Sequence, residues 1–506
     1  MKFTPTIDVF DLVASISNAV DLVDRKLVNH HIRVTYIASC LSEAGYLSRQ
    51  QESTVIIAGM LHDIGALTRE ERLEFLGFDV DNPHRHSEVG YQLLKEFELF
   101  EDAAEAIRYH HVRWCHGAGE SFYGKSVPLI SHVLHLADRI DILIDDRREI
   151  YSQRSEIVER IRENTPWMFC PRVVDWFEKL ARREEFWLDL TSPNLSVILK
   201  RRVKRFEIDL TIDVITSYAH LMSQLVDFRS RFTSTHSRGV SAVAEYVARL
   251  VGFSERECQR MMVAGFLHDI GKLAIPNDIL EKPGKLSSEE YEIIKSHSYH
   301  TARILEPIRG IEDLVEWCSL HHEKANGTGY PIGEVGANIP LAASILILAD
   351  IFTALTEDRP YRPGLKRERV ESIIHTMSDN GELNWRIVTV LFDNYDEVND
   401  FRQRSQNYAD DDFRAFMEKI QISHARADRE EVRLKLTALH MEKWTLEADL
   451  TRTNLDGEVA GVPEESLEEL DRINQEIDRL RAQELEYCEQ AEAFLHIGEE
   501  LADWGE

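Results

Sequence analysis

Two stretches of the 506-residue chain, AGMLHDIGAL at 58–67 and AGFLHDIGKL at 264–273, are near copies. The copying reaches well beyond them. His30 precedes His62 by 32 residues, and His236 precedes His268 by the same 32. Downstream, His86 stands 24 residues before the pair His110-His111, and His297 stands 24 before His321-His322. VPLISHVLHLAD ends at Asp138 and IPLAASILILAD at Asp350, each with a proline ten residues earlier. A duplication of this length means that the fold is built twice, with each copy large enough to bury its own core.

The repeats set the expected domains: repeat one within 1–190, a helical linker over 191–215, repeat two in 216–402 and a tail over 403–506. Segments such as SAVAEYVARLVG and EEYEIIKSHSYHTARILEPI carry apolar residues at i, i+3 and i+4, and no convincing alternating run is present. The expected fold class is therefore all-α. In the tail, Val432, Leu436, Leu439, Leu446 and Leu450 form one heptad-like seam, and Leu470, Ile473, Ile477, Leu480, Tyr487, Ala491 and Phe494 form another. The Gly- and Pro-bearing DGEVAGVPEES between them predicts the turn of a long helical hairpin. Such a hairpin is an expected homodimer contact.

Charge narrows the partners. The formal net charge is −30, and the stretch 406–506 holds 27 acidic against 11 basic residues. That balance argues against duplex nucleic acid and anionic membrane surfaces, both of which call for a basic face. The six cysteines form no CxxC pair. The most apolar stretch, LAASILILADIFTAL, is too short to span a bilayer, and no signal peptide is evident. A cytoplasmic protein is expected.

The recurring donors are His30, His62, Asp63, His86, His110 and Asp138 in repeat one. In repeat two they are His236, His268, Asp269, His297, His321 and Asp350. A lone histidine on an apolar face is usually a core residue, but six oxygen and nitrogen donors recurring at matched spacing point to a metal centre. Neighbouring positions on a helix diverge by about 100°. An adjacent His-Asp pair therefore serves one centre only if the ions sit close, with the aspartate bridging two. Imidazole and carboxylate without thiolate suit Fe, Mn, Co, Ni or Zn with little discrimination among them. Two ions about 3.5–4 Å apart can clamp a phosphate for in-line attack.

Both repeats resemble the HD superfamily of metal-dependent phosphohydrolases, named for the His-Asp pair. Repeat two resembles its HD-GYP subfamily through HDIGK (268–272), IPNDILEKPGKLSSEEYEIIKSH (275–297), HHEKANGTGYP (321–331) and LADIFTALTEDRPYRP (348–363). Repeat one has no GYP loop, and Ala66 stands where repeat two has Lys272. The resemblance implies an all-helical fold, a two- or three-metal centre of the iron or manganese type and phosphodiesterase activity on cyclic di-GMP or 3′3′-cGAMP. It implies that the twelve donors above are ligands. Asp269, Lys272 and His322 are the implied catalytic residues, with His322 a proton donor, an outer-shell residue or a further ligand. The implied substrate contacts are Lys272, Asn326, Gly327, Gly329, Tyr330, Pro331, Arg359 and Arg362. The loop could also recruit a partner of the diguanylate-cyclase type.

Three positions depart from the subfamily pattern. Asn326 replaces the loop's usual Asp, Thr353 replaces the Asp three residues after Asp350, and Phe232 stands where three-metal members carry Glu, which favours two ions. For repeat one, two readings stay open: a phosphomonoesterase or 5′-nucleotidase, or a regulatory domain folded around a metal. For the whole chain the alternative to an enzyme is a cyclic-dinucleotide-binding scaffold.

Overall fold

The computed structural model describes residues 5–22, 29–68, 71, 77–78, 83–203, 206–229, 235–282, 284–358, 363–455 and 464–502. Helices dominate. Repeat one follows an N-terminal helix, α1 (Val9–Asp21), with α2 (His30–Ala44), α3 (Arg49–Leu61), α4 (His84–Leu94), α5 (Glu101–Arg108) and α6 (Leu129–Ile142). Repeat two follows α7 (Ile212–Asp227) with α8 (His236–Val251), α9 (Glu255–Leu267), α10 (Ser288–Leu305), α11 (Glu312–Ser319) and α12 (Leu341–Thr356). The tail is α13 (Tyr395–Leu455) and α14 (Glu464–Ala502). The strands are short: Thr6–Asp8 pairs antiparallel with Glu207–Asp209, and Ser121–Phe122 with Lys125–Ser126.

Matched chemistry starts matched helices. Ser48 caps α3 and Ser254 caps α9, each in a reciprocal box with the residue three further on, Gln51 and Glu257. The hydroxyl accepts a backbone N–H and the longer side chain accepts the cap's own N–H, so two otherwise unpaired donors are satisfied. Each capped helix ends at the histidine of its HD pair, His62 or His268.

The chain forms two compact units, and their boundaries differ from the expected ones at both ends. Among the described residues, 5–22, 29, 66–68 and 71 join repeat two, and 417–455 and 464–502 join repeat one. At the start, Thr6–Asp8 finds its strand partner at 207–209, and α1 packs on α10 and on the turn at 270–274. Ser15 and Tyr218 share a hydrogen bond of 2.5 Å beneath them. The buried residues of α1, among them Leu12, Val13 and Ile16, thus serve repeat two's core. The expected linker is partly core as well, because Leu195 and Leu199 of the helix Leu195–Arg202 are buried.

At the other end, the expected seam is present. Val432, Leu436 and Leu439 of α13 pack on Ile473, Ile477 and Leu480 of α14. Another face of α13, with Ala427, Leu434 and Ala438, covers Tyr109, Val112, Cys115, Phe122 and Val127 of repeat one. Both described seams are thus covered within the chain, while Met441, Trp444, Leu467 and Leu485 of the tail stay exposed. The expected hairpin turn at 456–463 and the side chains of Leu450, Ala491 and Phe494 lie outside the described residues. No described helix is long and apolar enough to cross a membrane.

Candidate metal centres

In repeat two, five stretches of chain deliver the expected donors to one place. His236 opens α8, His268 and Asp269 follow α9, His297 lies in α10, His321 and His322 follow α11, and Asp350 lies in α12. Asp269 sits between two sets of nitrogens. Its Oδ2 lies 3.1 Å from His268 Nε2 and 3.9 Å from His236 Nε2. Its Oδ1 lies 3.4 Å from His297 Nε2 and 3.8 Å from His321 Nε2. Asp350 closes the first set, 3.2 Å from His236 Nε2, and its other oxygen lies 3.7 Å from His322 Nδ1.

Repeat one reproduces the arrangement. Asp63 Oδ2 faces His62 at 3.3 Å and His30 at 3.6 Å, and its Oδ1 faces His86 at 3.3 Å and His110 at 3.8 Å. Asp138 lies 3.5 Å from His30. His111 also joins this set, 3.0 Å from His86 Nε2. His111 is not among the expected donors, although the doubled histidine signals it. Asp138 also bonds the guanidinium of Arg139, a cation for which repeat two has Ile351.

These residues suit a metal cluster. Each repeat offers two groups of three or four donor atoms, with the atoms of each group within 4.8 Å of one another. Buried His268 Nε2 and Asp269 Oδ1 have no hydrogen-bond partner among the described residues, although both face the cluster. An unpaired buried donor set of this kind is costly unless something is coordinated there. The protonation states divide between the two sides of each centre: against burial, the surrounding carboxylates push His236 (Glu357, Asp350) and His30 (Asp141, Asp63) up to about 10, a positive charge that an ion would replace. Burial pushes His297 and His110 down to about 3 and keeps both neutral. Burial alone would raise Asp269, but His268, Lys272 and His297 hold it well below the usual carboxylate range.

Ring orientation is fixed by the other nitrogen. His62, His110, His268, His297 and His321 each present Nδ1 to the backbone carbonyl three residues earlier, at 2.6–2.9 Å. Each Nε2 is thereby left for the centre. His30 and His236 are the first residues of their helices and use carboxylates instead. His30 Nδ1 donates to Asp141 at 2.7 Å, and His236 Nδ1 to Glu357 at 3.0 Å. No sequence signal marked these two acids.

The loop after His322 hangs on Glu323, which is buried and accepts from the backbone N–H of Ile332, Gly333 and Glu334 at 2.7–3.1 Å. Asn326 accepts from Thr328 and donates to the Asn380 carbonyl, so its side chain is engaged in the loop itself. Gly327 holds φ +79°, a left-handed backbone that favours glycine. Gly329 backs onto the Glu323–Lys324 backbone, while Pro331 is exposed. Tyr330 reaches the cluster, its ring 4.9 Å from that of His322. Lys272 stands beside the centre, 2.6 Å from Asp269 Oδ2. Arg359, Arg362 and Phe232 lie outside the described residues.

Two family models, each described as an HD domain, match this chain, one over residues 27–143 and the other over 220–383. The chain is 30% identical over 392 residues to the 3′3′-cGAMP-specific phosphodiesterase 1 of Vibrio cholerae, covering 75% of this chain and 90% of that one. The chain belongs to the HD-GYP family. A further relative is the cyclic di-GMP phosphodiesterase PA4108 of Pseudomonas aeruginosa, 40% identical over 134 residues, 26% of this chain and 32% of its own. The crystal structure of a cyclic GMP-AMP-specific phosphodiesterase of Vibrio cholerae shares the fold. Its TM-score is 0.55 at 20% identity, over 78% of this chain and 98% of that one.

Proposed function

We propose that repeat two is a metal-dependent phosphodiesterase that opens a 3′3′-cyclic dinucleotide to the linear dinucleotide, with 3′3′-cGAMP as its substrate. The observation that carries the reading is Asp269, whose two oxygens face separate histidine sets. A relative matched over 75% of the chain carries the 3′3′-cGAMP name, whereas the cyclic di-GMP phosphodiesterase PA4108 matches over 26% of it.

In this reading His236, His268 and Asp350 hold one divalent ion of the Fe or Mn type, and His297, His321 and His322 hold the other, with Asp269 shared. Bound ions supply Lewis acidity and lower the pKa of water. The remaining work falls to the chain. Ring opening adds the elements of water across one P–O3′ bond. Lys272 places a cation at the mouth of the centre for a phosphate oxygen. Tyr330 offers a ring to a purine, and Lys295, 5.9 Å from that ring's centre, extends the same wall. His322 belongs with the ligands rather than the proton donors, because burial lowers its pKa and leaves it neutral. The 3′ oxygen then takes its proton from solvent.

Repeat one holds the donors without the loop or the lysine, which suits a smaller substrate such as the terminal 5′-phosphate of the linear product. The test is chromatography of products from Asp63→Ala and Asp269→Ala on cyclic and linear dinucleotides. Asp269→Ala should stop ring opening and spare phosphate release from linear dinucleotide, and Asp63→Ala should do the reverse. An Asp63→Ala protein with unchanged products makes repeat one regulatory. Ring opening by Asp269→Ala refutes the assignment.

A further inference from the structure

We infer that Glu357 is the positioning residue for His236, taking over a task that repeat one gives to Asp141. The two repeats serve as each other's control. Both begin their ligand set with a histidine at the first position of a helix, His30 in α2 and His236 in α8. A first helical residue has no carbonyl three residues earlier within its own helix, so the means by which the other ligand rings are oriented is missing there. A carboxylate supplies it in both repeats.

In repeat one that carboxylate lies three residues beyond the ligand Asp138, on the same helix. Asp141 is buried and accepts from His30 Nδ1 at 2.7 Å. The matching position in repeat two is Thr353, whose buried Oγ1 has no hydrogen-bond partner among the described residues. Its methyl instead lies where a Cβ on Gly239 of α8 would come within 2.8 Å of it. Repeat two takes its carboxylate from one turn further along, at Glu357, which caps the C-terminal end of α12. The longer glutamate side chain reaches back, and its two oxygens lie 3.0 and 3.2 Å from His236 Nδ1.

Glu357 is held for this purpose. Gln406 donates to Glu357 Oε2 at 3.2 Å and to the carbonyl of Thr235, the residue before His236, also at 3.2 Å. Arg402 donates to Gln406 and to the carbonyl of Thr356. One buried amide thus spans the positioning acid and the backbone of the residue that it positions. With Nδ1–H committed to Glu357, Nε2 is the ring atom left facing Asp350 and Asp269, the arrangement that metal-holding imidazoles share.

The inference rests on His236 being a metal ligand, and the experiment separates the two. Mn2+ binding is measured by calorimetry in an Asp63→Ala background, which silences repeat one. If the background protein binds no Mn2+, the ligand reading itself fails. If it binds, Glu357→Gln should weaken that binding about 10–100-fold. Adding Thr353→Asp to Glu357→Gln should recover most of the loss, since it restores repeat one's arrangement. Should Glu357→Gln not fold, Glu357→Asp, one methylene too short, should show the same weakening. Binding within twofold of the background, or no recovery in a double variant of normal melting temperature, overturns the inference.

Discussion

Replacing Gly271 with alanine should remove metal from repeat two by pushing one of its helices away. Gly271 follows the His268-Asp269 pair and lies flat against α10. A Cβ there would stand 1.9 Å from the His297 carbonyl oxygen and 2.5 Å from the Thr301 nitrogen. Ordinary contact begins near 3.4 Å, so α10 must retreat by about 1.5 Å. The obstacle is backbone, which no rotamer change relieves. Ligand distances tolerate only about 0.2 Å, and α10 carries His297. The ion beside His297 and His321 is expected to be lost, and ring opening to fall at least about 100-fold, the scale for a 1 Å misplacement. Overpacking should cost about 1–3 kcal/mol in stability. Repeat one offers the matched perturbation, because a Cβ on Gly65 would lie 2.0 Å from the His86 carbonyl. Gly65→Ala should empty repeat one and leave ring opening intact. Metal analysis by mass spectrometry and product chromatography give both readouts. A Gly271→Ala protein with full metal content and turnover within twofold of wild type refutes the reasoning.

Lys272→Ala should keep its metal and lower kcat/KM for the cyclic dinucleotide about 10–100-fold, the range of one charge-assisted phosphate contact; steady-state kinetics with unchanged kcat/KM would remove the lysine from the site. Burial pushes the Asp227 carboxyl up to about 8 from its usual 3.8, with the Ser237 hydroxyl opposing, so the folded state keeps a proton that the unfolded chain releases. Its contribution is complete below the unfolded pKa and is lost as pH rises from about 4 through 8, by up to about 1.4 kcal/mol per unit. Asp227→Asn should flatten that slope in melting curves of chelated protein taken from pH 5 to 9, and curves parallel to wild type would contradict it. Glu431 of α13 is buried between Arg113 at 3.0 Å and His84 at 3.4 Å. Glu431→Ala should destabilise repeat one by about 3 kcal/mol while ring opening persists, as read by calorimetric melting beside turnover.

The donors were legible because duplication turns spacing into a measurement. Offsets of 32 and 24 residues picked His62, His86 and His110 from among 21 histidines. The caps at Ser48 with Gln51 and Ser254 with Glu257 are local chemistry as well, but the expected elements did not draw on them. What escaped depends on partners far apart in the chain. Glu357 is 121 residues from His236, and Asp141 is 111 from His30. No periodicity encodes such a pair, although Thr353 marked where a carboxylate had gone missing. The N-terminal helix was read into repeat one by proximity, but its strand partner lies at 207–209. The tail's heptads forecast a seam correctly. They could not say that a second face, with Ala427 and Leu434, would be covered by repeat one. Glu323 was overlooked because an acid that anchors a loop through three backbone N–H groups looks, in sequence, like any surface glutamate.

The central claim is that Asp269 joins two ions into one ring-opening centre. Its most direct test is to load wild type and Asp269→Ala with Mn2+ or Fe2+, count the ions bound, and follow 3′3′-cGAMP and cyclic di-GMP by chromatography. The account predicts linear product from wild type, with 3′3′-cGAMP the faster substrate, and lower metal content with no linear product from Asp269→Ala. A metal-loaded wild type that opens neither ring, or an Asp269→Ala protein that keeps its ions and opens one, would contradict it.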